Sequence, residues 1–190
     1  AEEAVPALII YLSDEGLELR ALEALAAIPV DLPGETYPQI VQFLGRNVYY
    51  GGGDAATILM RAGRKAIPAL IDGLKDSSPN TRVGCINTLG KMGSMVAEDD
   101  EAIAALLQLF HDQEPTVRRQ AIYASVRIAP GNHDVARATA KALHDPSDEV
   151  VEQASFYMGQ LVNPPAELLD QLIKATSATQ DKPNVMGQQI

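Results

Sequence analysis

The sequence predicts an all-α protein, a stack of about five helical hairpins with one closing helix. Three observations carry this prediction: an internal repeat with a period near 32 residues, prolines held in one register of that repeat, and apolar side chains spaced for helix faces. The repeat is clearest where Asp76, Pro79 and Arg82 are matched by Asp112, Pro115 and Arg118. Ile67, Leu70, Ile71 and Leu74 stand nine, six, five and two residues before Asp76, and Ile103, Leu106, Leu107 and Phe110 keep the same offsets before Asp112. Offsets of this kind gather on one side of a helix.

The first copy places Val5, Leu8, Ile9 and Leu12 before Asp14, with Arg20 six residues after it. The second has Tyr37, Ile40, Val41 and Leu44 ahead of Arg46, which takes the Asp place. The fifth is centred on Asp145, with Leu143 before it and Val151 where the Arg would stand. A last half-copy, Leu168, Leu169 and Leu172, precedes Lys174. The anchors at 14, 46, 76, 112, 145 and 174 are therefore 32, 30, 36, 33 and 29 residues apart, a period with slack in its loops.

Pro6, Pro38 and Pro68 each lie eight residues before an anchor, where the first helix of a hairpin begins. The N–H that proline lacks has no partner inside a helix at that point, so no hydrogen bond is lost. The second helices follow the anchors, as Val83, Ile86, Leu89 and Met92 do in copy three and Ala121, Ile122, Val126 and Ile128 roughly do in copy four. The predicted hairpins are 2–28, 34–63, 64–97, 99–130 and 133–162, with a closing helix at 165–176. Together they form one domain, 1–176, followed by a polar, flexible tail at 177–190.

Composition narrows the function classes. The 190 residues include 25 acidic and 15 basic side chains, a net charge of −10, and 46% are hydrophobic. A surface this negative repels phosphate backbones and anionic lipid, so neither nucleic acid nor membrane is expected as a partner. No apolar run approaches the ~20 residues that span a bilayer. The single cysteine, Cys85, excludes an internal disulfide and a thiolate zinc cluster, and its place in an apolar helix reads as packing. The sequence starts at Ala1, which leaves a processed exported protein and a fragment of a longer chain both open, and the compartment with them.

The unit with Ile-Pro-x-Leu opening its first helix, Asp-x-x-Pro at its turn and Val/Thr-Arg opening its second resembles a HEAT repeat. The resemblance is closest to the repeats of phycobilin lyases and extends to about residue 176. It implies a right-handed α-solenoid whose turn Asp and Arg bond within and between neighbouring repeats. Asp14, Arg20, Asp76, Arg82, Asp112 and Arg118 are accordingly read as a structural ladder. Such a carboxylate meets both exposed N–H groups and a guanidinium.

Candidate chemistry was weighed against simpler roles. The three histidines all precede Asp, at His111, His133 and His144, but no His-Glu pair of the kind that holds iron in deoxyhypusine hydroxylase occurs. Turn or capping roles fit them better, and no metal is expected. Tyr49-Tyr50-Gly51-Gly52-Gly53-Asp54 departs most from the repeat. It is read chiefly as a connection with Asp54 capping the next helix, and secondarily as a place where backbone and tyrosines meet a ligand. Glu98 to Glu101 reads as helix N-terminal charge rather than an EF-hand, and Arg61, Arg64 and Lys65 are too few for a DNA-binding face.

The resemblance places partner binding on the concave face lined by second helices. The exposed positions expected there are Glu23, Asn87, Lys91, Tyr123, Arg127, Tyr157 and Gln160, with Tyr49 and Tyr50 in the adjoining loop. This mixture of aromatic, amide and cationic groups suits a protein partner. The expectation is a non-catalytic interaction scaffold without a cofactor. A phycobilin-lyase-like chromophore-handling factor and a metal-dependent hydroxylase remain as alternatives, separable by colour and by metal content.

Overall fold

The computed structural model describes residues 2–46 and 53–168. Its helices pair as α1 (Val5–Tyr11) with α2 (Glu18–Ala27), α3 (Tyr37–Leu44) with α4 (Gly53–Ala62), and α5 (Ile67–Gly73) with α6 (Pro79–Met92). Then follow α7 (Asp100–Gln108) with α8 (Pro115–Ile128), and α9 (His133–Lys141) with α10 (Asp148–Met158). Residues 166–168 are helical, and most of the expected closing helix lies outside the described residues. No strand occurs among the described residues. The protein is an all-α solenoid.

Local chemistry sets where these helices start. Proline occupies the first turn of α1, α3, α5, α6 and α8, where its missing N–H costs no bond. Side chains cap two of the others: Asp99 Oδ1 accepts from the Ala102 N–H at 3.0 Å, and Asn132 Oδ1 accepts from the N–H groups of both Asp134 and Val135. Leu25, Ile40, Leu44, Ile58, Leu59, Leu70, Ile86, Leu89, Leu106 and Ile122 are fully buried, so the core runs as one apolar spine through successive repeats. The thiol of Cys85 sits in that spine, and burial pushes its pKa up to about 12, so it packs as a neutral group.

From α5 onward second helices approach one another more closely than first helices do, whereas α3 and α5 pack as closely as α4 and α6. α6 packs extensively on α8, and α8 on α10, whereas α7 and α9 scarcely touch. A groove of about 420 Å³ opens between these outer helices, over Leu107, Phe110, Ala138 and Ala142. The small alanines of α9 leave that space unfilled. A stack whose members are tight on one side and splayed on the other curves toward the tight side, so from α6 onward the second helices line the inner face.

Close approach inside the stack depends on Gly45, Gly73 and Gly84. A Cβ on Gly84 would lie 2.6 Å from Leu44 Cβ and 2.9 Å from the Leu44 carbonyl oxygen. One on Gly73 would lie 2.5 Å from Cys85 Sγ and 2.6 Å from Val41 Cγ1. Helices α3, α5 and α6 therefore meet nearly backbone to side chain, with no room for a methyl group.

Candidate partner-binding face

The turns fix the register of the inner face. Arg118 donates from Nη1 to the carbonyls of Asp112 and Gln113 in its own turn, at 2.8 and 3.1 Å. It also reaches the next repeat, where Nε and Nη2 bond the two oxygens of Asp145 at 2.8 and 2.7 Å. Arg82 repeats the arrangement with the carbonyls of Asp76 and Ser77, and its Nη2 meets Asp112 Oδ1 at 2.8 Å. Its Nε is buried without an acceptor, so this rung is monodentate where the Arg118 rung is a fork. Each aspartate also accepts an N–H two residues on: Ser78 for Asp76, Glu114 for Asp112 and Ser147 for Asp145.

The first two repeats depart from the expected ladder. Asp14 and Arg20 are exposed and form no ion pair among the described residues. The reason lies in the next repeat, where Arg46 stands in place of an aspartate and offers Arg20 no acceptor. The rung is inverted instead, with Arg46 Nη1 donating to Glu18 Oε1 at 3.1 Å and its guanidinium resting 4.9 Å from the Phe43 ring centroid. Asp76 is tied back to the second repeat by Gln42 Nε2 at 3.3 Å.

The Arg118 hydrogen bonds hold the Asp145 carboxyl below its ordinary value of 3.8. Because the folded state holds this proton more weakly than the unfolded chain, Asp145 stabilises the fold fully above its unfolded value. That stabilisation is lost as pH falls through the lower folded value. In urea titrations across pH, wild type and Asp145→Asn should differ most above about pH 5 and converge toward strong acid. A difference that widens on acidification would contradict the assignment.

Counting from the anchors identifies the inner-face positions. Eleven residues after 46, 76, 112 and 145 stand Thr57, Asn87, Tyr123 and Phe156, and fifteen after stand Arg61, Lys91, Arg127 and Gln160. Asn87 and Tyr123 are half-buried, while Lys91, Arg127 and Gln160 are exposed. Arg127 lies over the Tyr123 ring, 5.3 Å from its centroid, and Nη1 also bonds the Tyr123 hydroxyl. Arg61 is committed to structure, donating to the carbonyls of Leu25 and Ala26 at the end of α2. Glu23 is exposed on α2, outside this register, and Tyr49 and Tyr50 lie outside the described residues.

Tyr157 requires a correction. Expected on the exposed face, it is only 9% exposed and belongs to the core, with its ring edge-on to Tyr123 at 5.8 Å and to Phe156 at 5.0 Å. Desolvation accordingly raises its pKa. The residue in the exposed slot is Phe156, which is 65% exposed. The helix phase was off by one, and the eleven-residue offset that yields Asn87 and Tyr123 also yields Phe156. Beside it a shallow groove of about 190 Å³ runs between α8 and α10, lined by Arg119, Glu149, Glu152, Gln153 and Phe156.

Residues 53–127, from α4 through nearly all of α8, match the model of HEAT repeats. This segment carries HEAT repeats. The complete Asp–Arg rungs lie in or directly beside this segment, and the HEAT repeats thus contain most of the inner-face register. Solved repeat proteins share the fold. A designed armadillo repeat protein in complex with a (KR)4 peptide is 18% identical, with 95% of this chain and 93% of that one covered at a TM-score of 0.57. A second designed armadillo repeat protein is 19% identical, with 95% and 94% covered at 0.56. An engineered protein of 18% identity covers 92% of this chain and 86% of its own at 0.53. No curated protein matches the chain.

Among the described residues no group of three His, Cys, Asp or Glu is placed to hold a metal ion. No described helix is long and apolar enough to cross a membrane.

Proposed function

We propose that this protein is a non-catalytic binding module that holds a segment of another protein against the inner face of its HEAT repeats. One observation carries the reading. Asn87, Tyr123 and Phe156, with Lys91, Arg127 and Gln160, hold equivalent register positions in three consecutive repeats, and the last of these repeats leaves a large aromatic two-thirds exposed. Phe156 stands apart from the buried residues of its helix, Val150, Ala154 and Tyr157, and touches the core only through the edge of the Tyr157 ring. Set beside a half-buried tyrosine and an arginine, it has the composition of an interface centre. The designed armadillo neighbour in complex with a peptide supports the same use of the fold.

The test compares two double variants as bait for a partner from the native source. Tyr123→Ala with Phe156→Ala is expected to lose a stoichiometric protein partner, since truncating such centres costs about 2 kcal/mol or more. Arg137→Ala with Lys141→Ala, on the outer helix α9, is expected to retain it, and circular dichroism checks that both stay folded. Retention by the first pair and loss by the second would place binding on the outer face.

A further inference from the structure

The first repeat exposes apolar side chains at positions that later repeats bury or make polar. Ile10, Tyr11, Leu17 and Leu19 are all exposed, and each lies within two residues of the turn at 12–17 that joins α1 to α2. Tyr11 stands five residues after Pro6, as Phe43 does after Pro38 and Gly73 after Pro68, and both of those are buried. At Gly73 this position faces the repeat before it, since a Cβ there would lie 2.6 Å from Val41 Cγ1. Ile10, 72% exposed, stands where the next two repeats have exposed Gln42 and Asp72. Leu17 precedes α2 where Ser78, Glu114 and Ser147 precede α6, α8 and α10. Leu19 is the second residue of its helix, a place held in those three helices by exposed Asn80, Thr116 and Glu149. A repeat that ends a stack in water carries a polar outer face, and this one does not.

The ladder is also open at this turn. Asp76, Asp112 and Asp145 each accept a side-chain donor from the repeat before, respectively Gln42, Arg82 and Arg118. Each also accepts the N–H two residues on. The N–H two residues after Asp14, that of Gly16, donates to Glu18 instead, and among the described residues no donor reaches the Asp14 carboxylate. Glu15 is exposed beside it. Residues 2–19 include Glu2, Glu3, Asp14, Glu15 and Glu18 and no basic side chain, and of these acids Glu18 alone is paired, with Arg46, among the described residues. The turn thus offers a charge and an apolar surface that the rest of the stack satisfies from a preceding repeat.

We infer that this end of the first repeat is a second interaction surface, which takes a helical hairpin of a different protein, stacked as one more repeat and basic where it faces the turn. An arginine of that hairpin fills at Asp14 the place that Arg82 fills at Asp112, and apolar side chains cover Ile10, Tyr11, Leu17 and Leu19. The surface is built from α1 and the start of α2, apart from the inner-face positions on α6, α8 and α10. A second copy of this chain does not fit it. Two such faces meeting would set Asp14 and Glu15 against the same carboxylates, and like charges across an interface oppose association. A copy stacked head to tail would present its fifth repeat, where Val151 stands in place of the ladder arginine.

The experiment places benzoylphenylalanine at Tyr11 of the full chain in its native source and maps the crosslinked peptide by mass spectrometry after irradiation. The expected adduct is with a different protein, at a segment that forms a helical hairpin and carries Arg or Lys among apolar residues. Asp14→Lys with Glu15→Lys should lower its yield about tenfold or more, the effect of setting like charges across an interface. Ile10→Glu should lower it as well. Thermal denaturation is expected to show both variants as stable as wild type, since all three side chains are exposed. Tyr123→Ala with Phe156→Ala should leave the yield unchanged, which separates this surface from the inner face. A crosslink to a second copy of this chain, or to an acidic or extended segment, would overturn the inference. So would a yield that charge reversal leaves unchanged, one that the inner-face variant abolishes, or no adduct at all.

Discussion

Arg118→Ala is expected to destabilise the fold by about 3–5 kcal/mol, the range for breaking a buried ion pair by removing one partner. The residue is 9% exposed, and its side chain makes four hydrogen bonds: two to carbonyls of its own turn, two to the Asp145 carboxylate. Alanine leaves Asp145 buried with the Ser147 N–H but no cation, and it strips the Asp112 and Gln113 carbonyls of their donor. Urea denaturation at neutral pH measures the loss. Arg82→Ala is expected to cost less, because its rung to Asp112 is monodentate and its Nε already lacks an acceptor. Equal losses for the two would mean that the fork adds nothing. Because the rungs lie along the turns rather than on the inner face, a partner should bind the folded fraction of either variant undiminished.

Gly84→Val is the second large effect, expected to cost at least the upper part of the ~1–3 kcal/mol usual for overpacking. Even the first added carbon would stand 2.6 Å from Leu44 Cβ and 2.9 Å from a backbone oxygen, and backbone cannot swing aside as a side-chain tip can. The branched side chain adds two more carbons to the same contact. Thermal denaturation reads the effect, with Gly93→Ala as a contrast of different origin. At Gly93 nothing lies within 4 Å, but φ is +53°, so any cost there is backbone strain and not crowding. A Gly84→Val protein as stable as wild type would show that α3 and α6 can separate without loss.

These two sites show how the sequence expresses the fold. The Asp-x-x-Pro turns and the Arg six residues after Asp14, Asp76 and Asp112 were legible because a repeat prints the same constraint several times. The rung from Arg118 to Asp145 uses both halves of that motif from adjacent copies. The inverted rung from Glu18 to Arg46 was not legible, because degenerate copies keep the geometry while exchanging the chemistry. Nothing in the repeat pattern singles out Gly84. Its closeness to Leu44 joins residues of different repeats and appears only once the helices are packed.

The candidate face was legible in its helices and in five of its register positions, Asn87, Lys91, Tyr123, Arg127 and Gln160. It failed at α10, where two adjacent aromatics, Phe156 and Tyr157, compete for one slot. A helix turns by about 100° per residue, so a shift of one decides which ring is buried. Hydrophobicity favours burying phenylalanine, yet the edge-on contact of Tyr157 with Tyr123 takes the tyrosine inward. Repeat register was the better guide than residue type.

The central claim is that a partner lies on the inner face at the register of Tyr123 and Phe156. The most direct measurement is photo-crosslinking with benzoylphenylalanine placed at Phe156 and, separately, at Ala104, an exposed position on the first-layer helix α7. The account predicts a covalent adduct with the captured partner from position 156 and none from 104. An adduct from 104 with none from 156 would contradict it and move the function to the outer face.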